Sequence, residues 1–198
     1  MQLGVSRTPV REAIGHLVAE GVLQKSNRGA VVTEPTRQDI VELYELREAL
    51  EVYVIGKVAE RRLSPRELET LEALIEEVRT IAEELRASGQ PALEGEALER
   101  FVTADLRFHM VLLQAGGNRR MLKLLDSTNL LLRIFTMRRE HHTVKLLAGV
   151  YDCHRRILDA VAAGAGDEAV RLLGEHIRLT RYERLAEYED PTEIGRLW

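Results

Sequence analysis

Four side chains in the second half of the sequence have the types and the spacing of metal ligands. Asp105 and His109 are four residues apart in a segment of helical pattern, so both side chains project from one face, one turn apart. His154 and His176 lie in two later helical segments, each among apolar residues at helical spacing. We therefore expect both imidazoles to face the core, where three helices would bring one carboxylate and three imidazoles together.

One carboxylate and three imidazoles form a suitable ligand set for a divalent transition metal. Such a set suits Zn²⁺, Ni²⁺, Mn²⁺ or Fe²⁺ and leaves coordination positions open for water or an organic ligand. The same residues also fit a plainer interpretation, because a buried histidine is often only a hydrogen-bonded part of the core. The spacing alone leaves both interpretations open.

The other histidines and the cysteine are not expected to bind the metal. Cys153 adjoins His154, but neighbouring residues of a helix point about 100° apart, so Cys153 is interpreted as a small packing residue. His16, His141 and His142 are interpreted as solvated or DNA-facing residues. A single cysteine also excludes an internal disulfide and is typical of a reducing cytosol.

Capping signals and glycines divide the chain after residue 35 into about six helices. The pairs Thr36/Asp39 and Ser64/Glu67 have the spacing of capping boxes, and they predict the starts of the first two helices. Clusters of Gly, Pro, Ser and Asn separate the later helical patterns. The expected helices span roughly residues 36–62, 64–88, 96–115, 118–140, 143–164 and 167–188.

Residues 4–33 have the pattern of a helix followed by a β-hairpin. The helical part carries apolar residues at helical spacing, and Gly21 is placed to end it. Two short strand patterns, at residues 22–25 and 30–33, flank the turn-forming sequence SNRG. This small unit would precede the helical bundle.

The helix of this first unit has features of a DNA-reading element. Arg7 and Arg11 lie one turn apart and off the apolar stripe, so they can reach guanine edges or phosphates in the major groove. Thr8 can donate a hydrogen bond to a phosphate. Two arginines on an exposed helix face are also consistent with solvated charges alone.

Composition favours helix and excludes some classes of protein. The chain has 198 residues, of which 45% are hydrophobic and only 5% aromatic, and its formal charge is −4. No apolar stretch approaches the length of about eighteen residues that a membrane span needs, and the start lacks a signal-peptide pattern. Residues 1–35 carry four basic and three acidic side chains, so a nucleic-acid role would rest on a small local patch.

Several longer blocks of the sequence carry a family resemblance. GVSRTPVREAIGHLVAEGVL and NRGAVV stand at the start, and YELREALE, DLRFHMVLLQAGGN, YDCHRRILDAV and AGDEAVRLLGEHI follow in order. Together they resemble the GntR family of bacterial transcription regulators, in the FadR-like branch with the FCD effector domain. The first two blocks are similar to the recognition helix and wing of that family, and the other four to its effector domain.

The resemblance implies roles for individual effector-domain residues. In that branch an Asp-x-x-x-His pair and two later histidines bind a divalent metal, and the matching residues here are Asp105, His109, His154 and His176. The family's metal commonly lies at the base of a pocket for a small carboxylate effector, and Arg47 resembles an arginine that lines this pocket. The alternative for Arg47 is a surface ion pair with Glu51, or with Glu48 nearby.

The resemblance also implies DNA contacts on the first helix and the wing, at Ser6, Arg7, Thr8, Arg11, Arg28 and Gly29. The family's DNA-binding domain normally begins with a helix, a strand and a second helix ahead of the GVSR turn, and this leading portion is missing here. The recognition helix would then lack packing partners. We expect a start codon assigned too late or a fragment, with a DNA-dead effector-binding relative as the alternative.

The combined prediction is a mainly α protein with two units. Residues 1–35 would form a partial winged helix-turn-helix, residues 36–190 an all-α, metal- and effector-binding bundle of about six helices, and residues 191–198 a tail. The predicted function is a cytoplasmic, homodimeric, metabolite-responsive regulator that binds operator DNA, a divalent metal (Zn²⁺ first) and a small organic acid, with no membrane partner and no catalytic residues. Two alternatives stay open. One is a metal-dependent hydrolase or isomerase, which would need a general base beside the metal, and the other is an effector-binding module without DNA binding.

Overall fold

The computed structural model describes residues 6–27, 29–34, 36–124, 131, 136–137 and 142–189, with the backbone alone at residues 187–189. Seven helices and one two-stranded sheet occur in this part of the chain. The prediction of a mainly α protein is therefore confirmed. The predicted tail, residues 191–198, lies outside the described residues.

The first unit consists of helix α1 (Arg7–Ala19) and strands β1 (Leu23–Ser26) and β2 (Gly29–Val32). The strands pair antiparallel, with Ser26 opposite Gly29, as the SNRG turn predicted. Gly29 has a φ of +133°, which glycine adopts readily because it has no Cβ. No residue of α1 is buried, and Ser6 occupies its N-cap position without a side-chain cap bond.

The bundle is built from six further helices. Their bounds are α2 (Arg37–Arg61), α3 (Pro65–Ser88), α4 (Gly95–Ala115), the helical residues 119–124 labelled α5, α6 (Val144–Ala163) and α7 (Gly166–Glu189). Each agrees with the predicted helices to within one or two residues at every described end. The remainder of the predicted 118–140 helix falls mostly on residues that the structure does not describe.

Local capping explains why these helices begin where they do. Both predicted capping boxes form, with Thr36 accepting from the backbone of Asp39 and Ser64 accepting from the backbone of Glu67. The side chain of Thr143 accepts from the backbone N–H of Leu146 at the start of α6. In the same way the amide oxygen of Asn118 accepts from two backbone N–H groups at the start of α5.

The bundle packs α2 against α7, and α3 against α4 and α6, while α6 also contacts α7. Large apolar side chains from all of these helices fill the interior, among them Ile55, Leu71, Ile75, Phe108, Leu158, Leu173 and Ile177, each at most 1% exposed. Burial of this kind contributes roughly 1.5–3 kcal/mol for each large side chain. The core therefore fixes the four helices α2, α4, α6 and α7 around one common region.

The described helices do not include a membrane-crossing candidate. None of them combines enough length with enough apolar character to traverse a bilayer.

Candidate metal centre

The four predicted ligands converge inside the bundle. Helix α4 carries Asp105 and His109, α6 carries His154, and α7 carries His176. One ligand atom from each of these side chains lies within 4.8 Å of the ligand atoms of the other three. Three helices therefore deliver one carboxylate and three imidazoles to a single point.

Close contacts between the rings fix their orientations. The Nε2 atom of His154 lies 3.3 Å from Nε2 of His176 and 3.6 Å from Oδ1 of Asp105. The rings of His109 and His176 are nearly parallel, with centroids 5.4 Å apart. Phe108 stacks on His154 at a centroid distance of 4.0 Å and an interplanar angle of 9°, so a face of the His154 ring packs against an aromatic side chain.

The site is largely closed to water. His109, His154 and His176 are 3%, 1% and 7% exposed, while the Asp105 side chain retains 18% exposure. Burial lowers the pKa of His176 to about 3, with help from the nearby His109 and Arg47. Burial also lowers the pKa of His154 well below its usual value, and the neighbouring His176 adds to this effect. These two imidazoles are therefore neutral at pH 7, which is the form that binds a metal.

A buried chain of polar contacts leads from His109 to helix α2. The Nδ1 atom of His109 lies 2.7 Å from Oε2 of Glu51, and Nε of Arg47 donates to Oε1 of the same carboxylate at 2.8 Å. Burial alone would raise the pKa of Glu51, but the attraction of Arg47 and His109 outweighs it and lowers the pKa to about 2. Glu51 is therefore a carboxylate, and His109 is the donor at Nδ1.

The arrangement fits a bound divalent cation. With Nδ1 of His109 engaged by Glu51, the other ring nitrogen, Nε2, is buried and has no hydrogen-bond partner within the described part of the chain. A buried polar atom without a hydrogen-bond partner destabilises the fold unless it binds a ligand or an ion. An imidazole nitrogen of His109 beside a carboxylate and two further imidazoles is a donor set that borderline metals such as Zn²⁺ accept.

Helix α2 supplies this outer contact because two charged residues interrupt its apolar stripe. Its buried positions follow helical spacing and are otherwise apolar or aromatic, except for Arg47 and Glu51. The alternative predicted for Arg47 was an ion pair with Glu51 on the surface, whereas both side chains are at most 5% exposed. Two opposite charges on the apolar face were the signal that Glu51 belongs to the site.

The remaining predictions for the bundle have mixed outcomes. Arg47 lies in the ion pair with Glu51, so its predicted contact with an effector stays a prediction. Cys153 is partly buried and is not among the four clustered ligands. The interpretation of His142 as solvated is wrong, because its side chain is 1% exposed and meets the ring of Phe101 edge-on. His141 lies outside the described residues.

The predicted DNA-contacting residues lie on an open surface. Ser6, Arg7, Thr8 and Arg11 are all exposed at the N-terminal end of α1, and Gly29 is exposed at the tip of the hairpin. Arg28 lies outside the described residues. Exposure leaves these side chains accessible to a partner, and their contacts with DNA stay a prediction.

Comparisons with known proteins agree with this architecture. The FCD domain family matches residues 42–179, and the family of bacterial regulatory proteins named gntR matches residues 1–32. The HTH-type transcriptional regulator LutR of Bacillus subtilis (strain 168) is 30% identical over 195 residues, covering 87% of this chain and 82% of LutR.

Two solved structures have a similar fold. A GntR transcriptional regulator from Rhodococcus sp. RHA1 superposes with a TM-score of 0.74 at 26% identity, covering 93% of this chain and 82% of the other. E. coli McbR/YncC superposes with a TM-score of 0.78 at 21% identity, covering 94% of this chain and 84% of the other, and it supports the fold alone.

Proposed function

The chain belongs to the GntR family of bacterial transcriptional regulators and carries the FCD domain, and on this premise we propose that its helical domain binds a divalent metal ion and a small carboxylate effector that controls operator binding. The single observation that carries the proposal is the convergence of four ligand atoms within 4.8 Å of one another. Zn²⁺ is the first candidate, with Ni²⁺, Mn²⁺ and Fe²⁺ also compatible with this ligand set.

The charge of the site supports an anionic effector. The ion pair between Arg47 and Glu51 is internally neutral, and the imidazoles of His154 and His176 are held neutral. Asp105 offsets one charge of a divalent ion, so a metal bound here leaves a net charge of about +1 in a buried place. When bound, the metal supplies an electrophilic centre with open positions that a carboxylate oxygen can occupy.

Arg47 is the residue we propose to recognise the effector alongside the metal. Its guanidinium is buried, and the attraction of Glu51 raises its pKa in spite of burial, so it stays cationic. The described bond to Glu51 uses Nε, one of the five N–H donors of a guanidinium. A guanidinium can pair with a carboxylate through two parallel hydrogen bonds, which selects planar anions.

Helix α2 is the proposed route from the effector to the DNA-binding unit. Arg47 and Glu51 lie in its middle, and its N-terminal end faces the first unit across a cleft of about 790 Å³. The cleft is lined by Val18 and Leu23 from the first unit and by Leu43 and Leu46 from α2. A small shift of α2 on effector binding would change this contact and reorient α1.

We propose that α1 enters the major groove with Arg7 and Arg11 near base edges and phosphates, supported by Ser6, Thr8 and the wing residues Arg28 and Gly29. Two chains would form a homodimer on a pseudo-palindromic operator, in the cytoplasm where that DNA lies. The chain would act by binding rather than by catalysis, since its relatives are transcriptional regulators.

The proposal is tested by measuring how operator affinity depends on both the bound metal and the added carboxylic acid. The purified protein is prepared with Zn²⁺ or treated with a chelator, and each form is titrated with operator DNA in the presence of small mono- and dicarboxylic acids. The neutral amides of the same acids are the controls. We expect at least one acid to change operator affinity, only in the zinc form, and its amide to have no effect.

Two results would count against this function. Equal operator affinity with every acid, in a protein shown to hold zinc, would remove the effector role. Consumption of an acid with a catalytic rate, followed by proton NMR, would favour the alternative of a metal-dependent hydrolase or isomerase.

A further inference from the structure

We propose that Glu51 is the positioning residue of the metal centre, holding His109 in the one tautomer and orientation that turn its Nε2 toward the ion. The inference rests on the proposed metal binding and deepens it. Glu51 is on α2, a helix that contributes none of the four ligands. Its role would therefore be to act on the centre through His109 alone.

The geometry assigns the two nitrogens of His109 to different partners. Nδ1 lies 2.7 Å from Oε2 of Glu51, which is a short, buried contact suited to an N–H donor and a charged acceptor. A carboxylate has no hydrogen to give, so the ring nitrogen that contacts it, Nδ1, carries a hydrogen. Nε2 is then the nitrogen left to offer a lone pair, and it is buried without a hydrogen-bond partner in the described part of the chain. One ring nitrogen of His109 belongs to the group of ligand atoms that lie together.

Arg47 keeps the carboxylate of Glu51 in place. Its Nε donates to Oε1 at 2.8 Å, while the contact with His109 is made by Oε2. Each of the two carboxylate oxygens thus has its own partner, and the group cannot rotate without losing one of them. Buried charges are tolerated when paired and hydrogen-bonded in this way.

The contact also joins two helices at the depth of the centre. Glu51 and His109 are 58 residues apart in sequence, and their bond links α2 to α4. Metal-bound histidines usually donate their second ring N–H to a carboxylate or carbonyl, and loss of that partner typically weakens metal binding by about 10- to 100-fold. We expect Glu51 to have an effect of this size.

The first test compares two isosteric substitutions on the same helix. Glu51→Gln removes the charge and keeps the shape, while Glu48→Gln makes the same change one turn away, where Glu48 pairs with the exposed Arg178. Zinc affinity is measured by competition with a chelator. We expect Glu51→Gln to bind zinc about 10- to 100-fold more weakly than the unchanged chain, and Glu48→Gln to bind it equally well.

The second measurement does not depend on metal. Long-range ¹H–¹⁵N NMR of the metal-free protein reports which ring nitrogen of each histidine carries the proton. We expect His109 to be protonated at Nδ1 in the unchanged chain and in Glu48→Gln, and to show a mixture of tautomers in Glu51→Gln. Failure of the unchanged chain to bind zinc would overturn the metal proposal, while this measurement would still decide the role of Glu51.

A double variant separates positioning from a loss of folding. Glu51→Gln leaves Arg47 as an unpaired buried charge, which can destabilise the protein by itself. Arg47→Met combined with Glu51→Gln removes both charges. If Glu51 positions His109, zinc binding stays weak in the double variant. Recovery of full zinc affinity in the double variant would mean that the single variant was weakened only by its unpaired arginine, and the inference would be wrong. Unchanged zinc affinity and an unchanged His109 tautomer in Glu51→Gln would overturn it equally.

Discussion

The Nε2 atoms of His154 and His176 lie 3.3 Å apart, although the two residues belong to different helices and are 22 positions apart in the chain. Burial lowers the pKa of both imidazoles, so the rings are neutral at pH 7. Two neutral imidazoles can share one hydrogen between these nitrogens, or both can turn their lone pairs to a common cation. Metal binding distinguishes the two arrangements.

We expect His154→Ala and His176→Ala each to abolish stoichiometric metal binding. Each change removes a direct ligand, so the loss should exceed the about 10- to 100-fold effect of removing an outer partner. Metal content per chain is measured by elemental analysis after dialysis against a weak chelator. His16→Ala, a change at an exposed histidine of α1, is the matched control and should retain the metal. Undiminished metal in both site variants would refute the ligand assignment.

We expect Gly116→Ala to destabilise the bundle by about 1–3 kcal/mol, because the added methyl group would overlap the Val54 side chain of α2. Gly116 has a φ of −67°, so the effect would be steric and not a backbone requirement for glycine. The free energy of unfolding is measured by urea denaturation followed by circular dichroism.

Gly149→Ala is the matched control for the substitution at Gly116. Gly149 lies within α6, and an added Cβ meets no atom within 4 Å, so alanine should stabilise the helix by up to about 1 kcal/mol. We therefore predict that Gly116→Ala lowers the free energy of unfolding and that Gly149→Ala raises it. A shift in the same direction would mean that α2 and α4 are not held closely together at Gly116.

We expect the capping carboxylate of Glu67 to make stability depend on pH in the acid range. Partial burial raises its pKa, but hydrogen bonds from Ser64 and the contact with Arg61 outweigh this and leave the pKa below its ordinary value of 4.5. A carboxyl whose pKa is lower in the folded state stabilises the fold above its unfolded pKa, and this contribution is lost as pH falls through the folded pKa.

The measurement compares the unchanged chain with Glu67→Gln at pH 7 and near pH 3. We expect the variant to be less stable by about 0.5–1 kcal/mol at pH 7, and the difference to shrink at the lower pH. Glu69→Gln, at an exposed position of the same helix turn, is the control and should change little. A difference that stays constant with pH would show that the charge of Glu67 does not contribute.

We expect Arg11→Ala to weaken operator binding. Loss of a base or phosphate contact weakens binding by about 1–3 kcal/mol. Loss of a phosphate contact also reduces, by about one, the slope of the logarithm of affinity against the logarithm of salt concentration. Fluorescence anisotropy at two salt concentrations measures both quantities. Arg66→Ala, an exposed arginine on α3, is the control. Equal operator affinity for the two variants would contradict major-groove binding by α1.

Much of the architecture could be predicted because its signals are local. The capping boxes at Ser64 and Thr36 depend on residues three apart, and the Asp105/His109 pair on residues four apart. Ile157 and Leu158, three and four residues after His154, are likewise a local signal for the buried face of α6, and both are 1% exposed.

The rest depended on contacts between distant parts of the chain. Glu51 meets His109 across 58 residues, and no spacing rule indicates such a contact. His142 was interpreted as solvated or DNA-facing, whereas it is buried against the ring of Phe101, a residue of α4 that lies 41 positions earlier in the chain. Residue type alone does not decide burial either, since the apolar side chain of Leu179 in α7 is 48% exposed.

The four ligands are distributed from Asp105 to His176, on three helices that the unfolded chain leaves free to separate. An ion held by all four would act as a cross-link that closes a loop of about seventy residues, and it would bind the native state alone. Free metal would then raise the resistance of the protein to unfolding and to proteases in proportion to the logarithm of its concentration. The number of regulator molecules in the cell would follow the supply of the metal, before any organic acid is present.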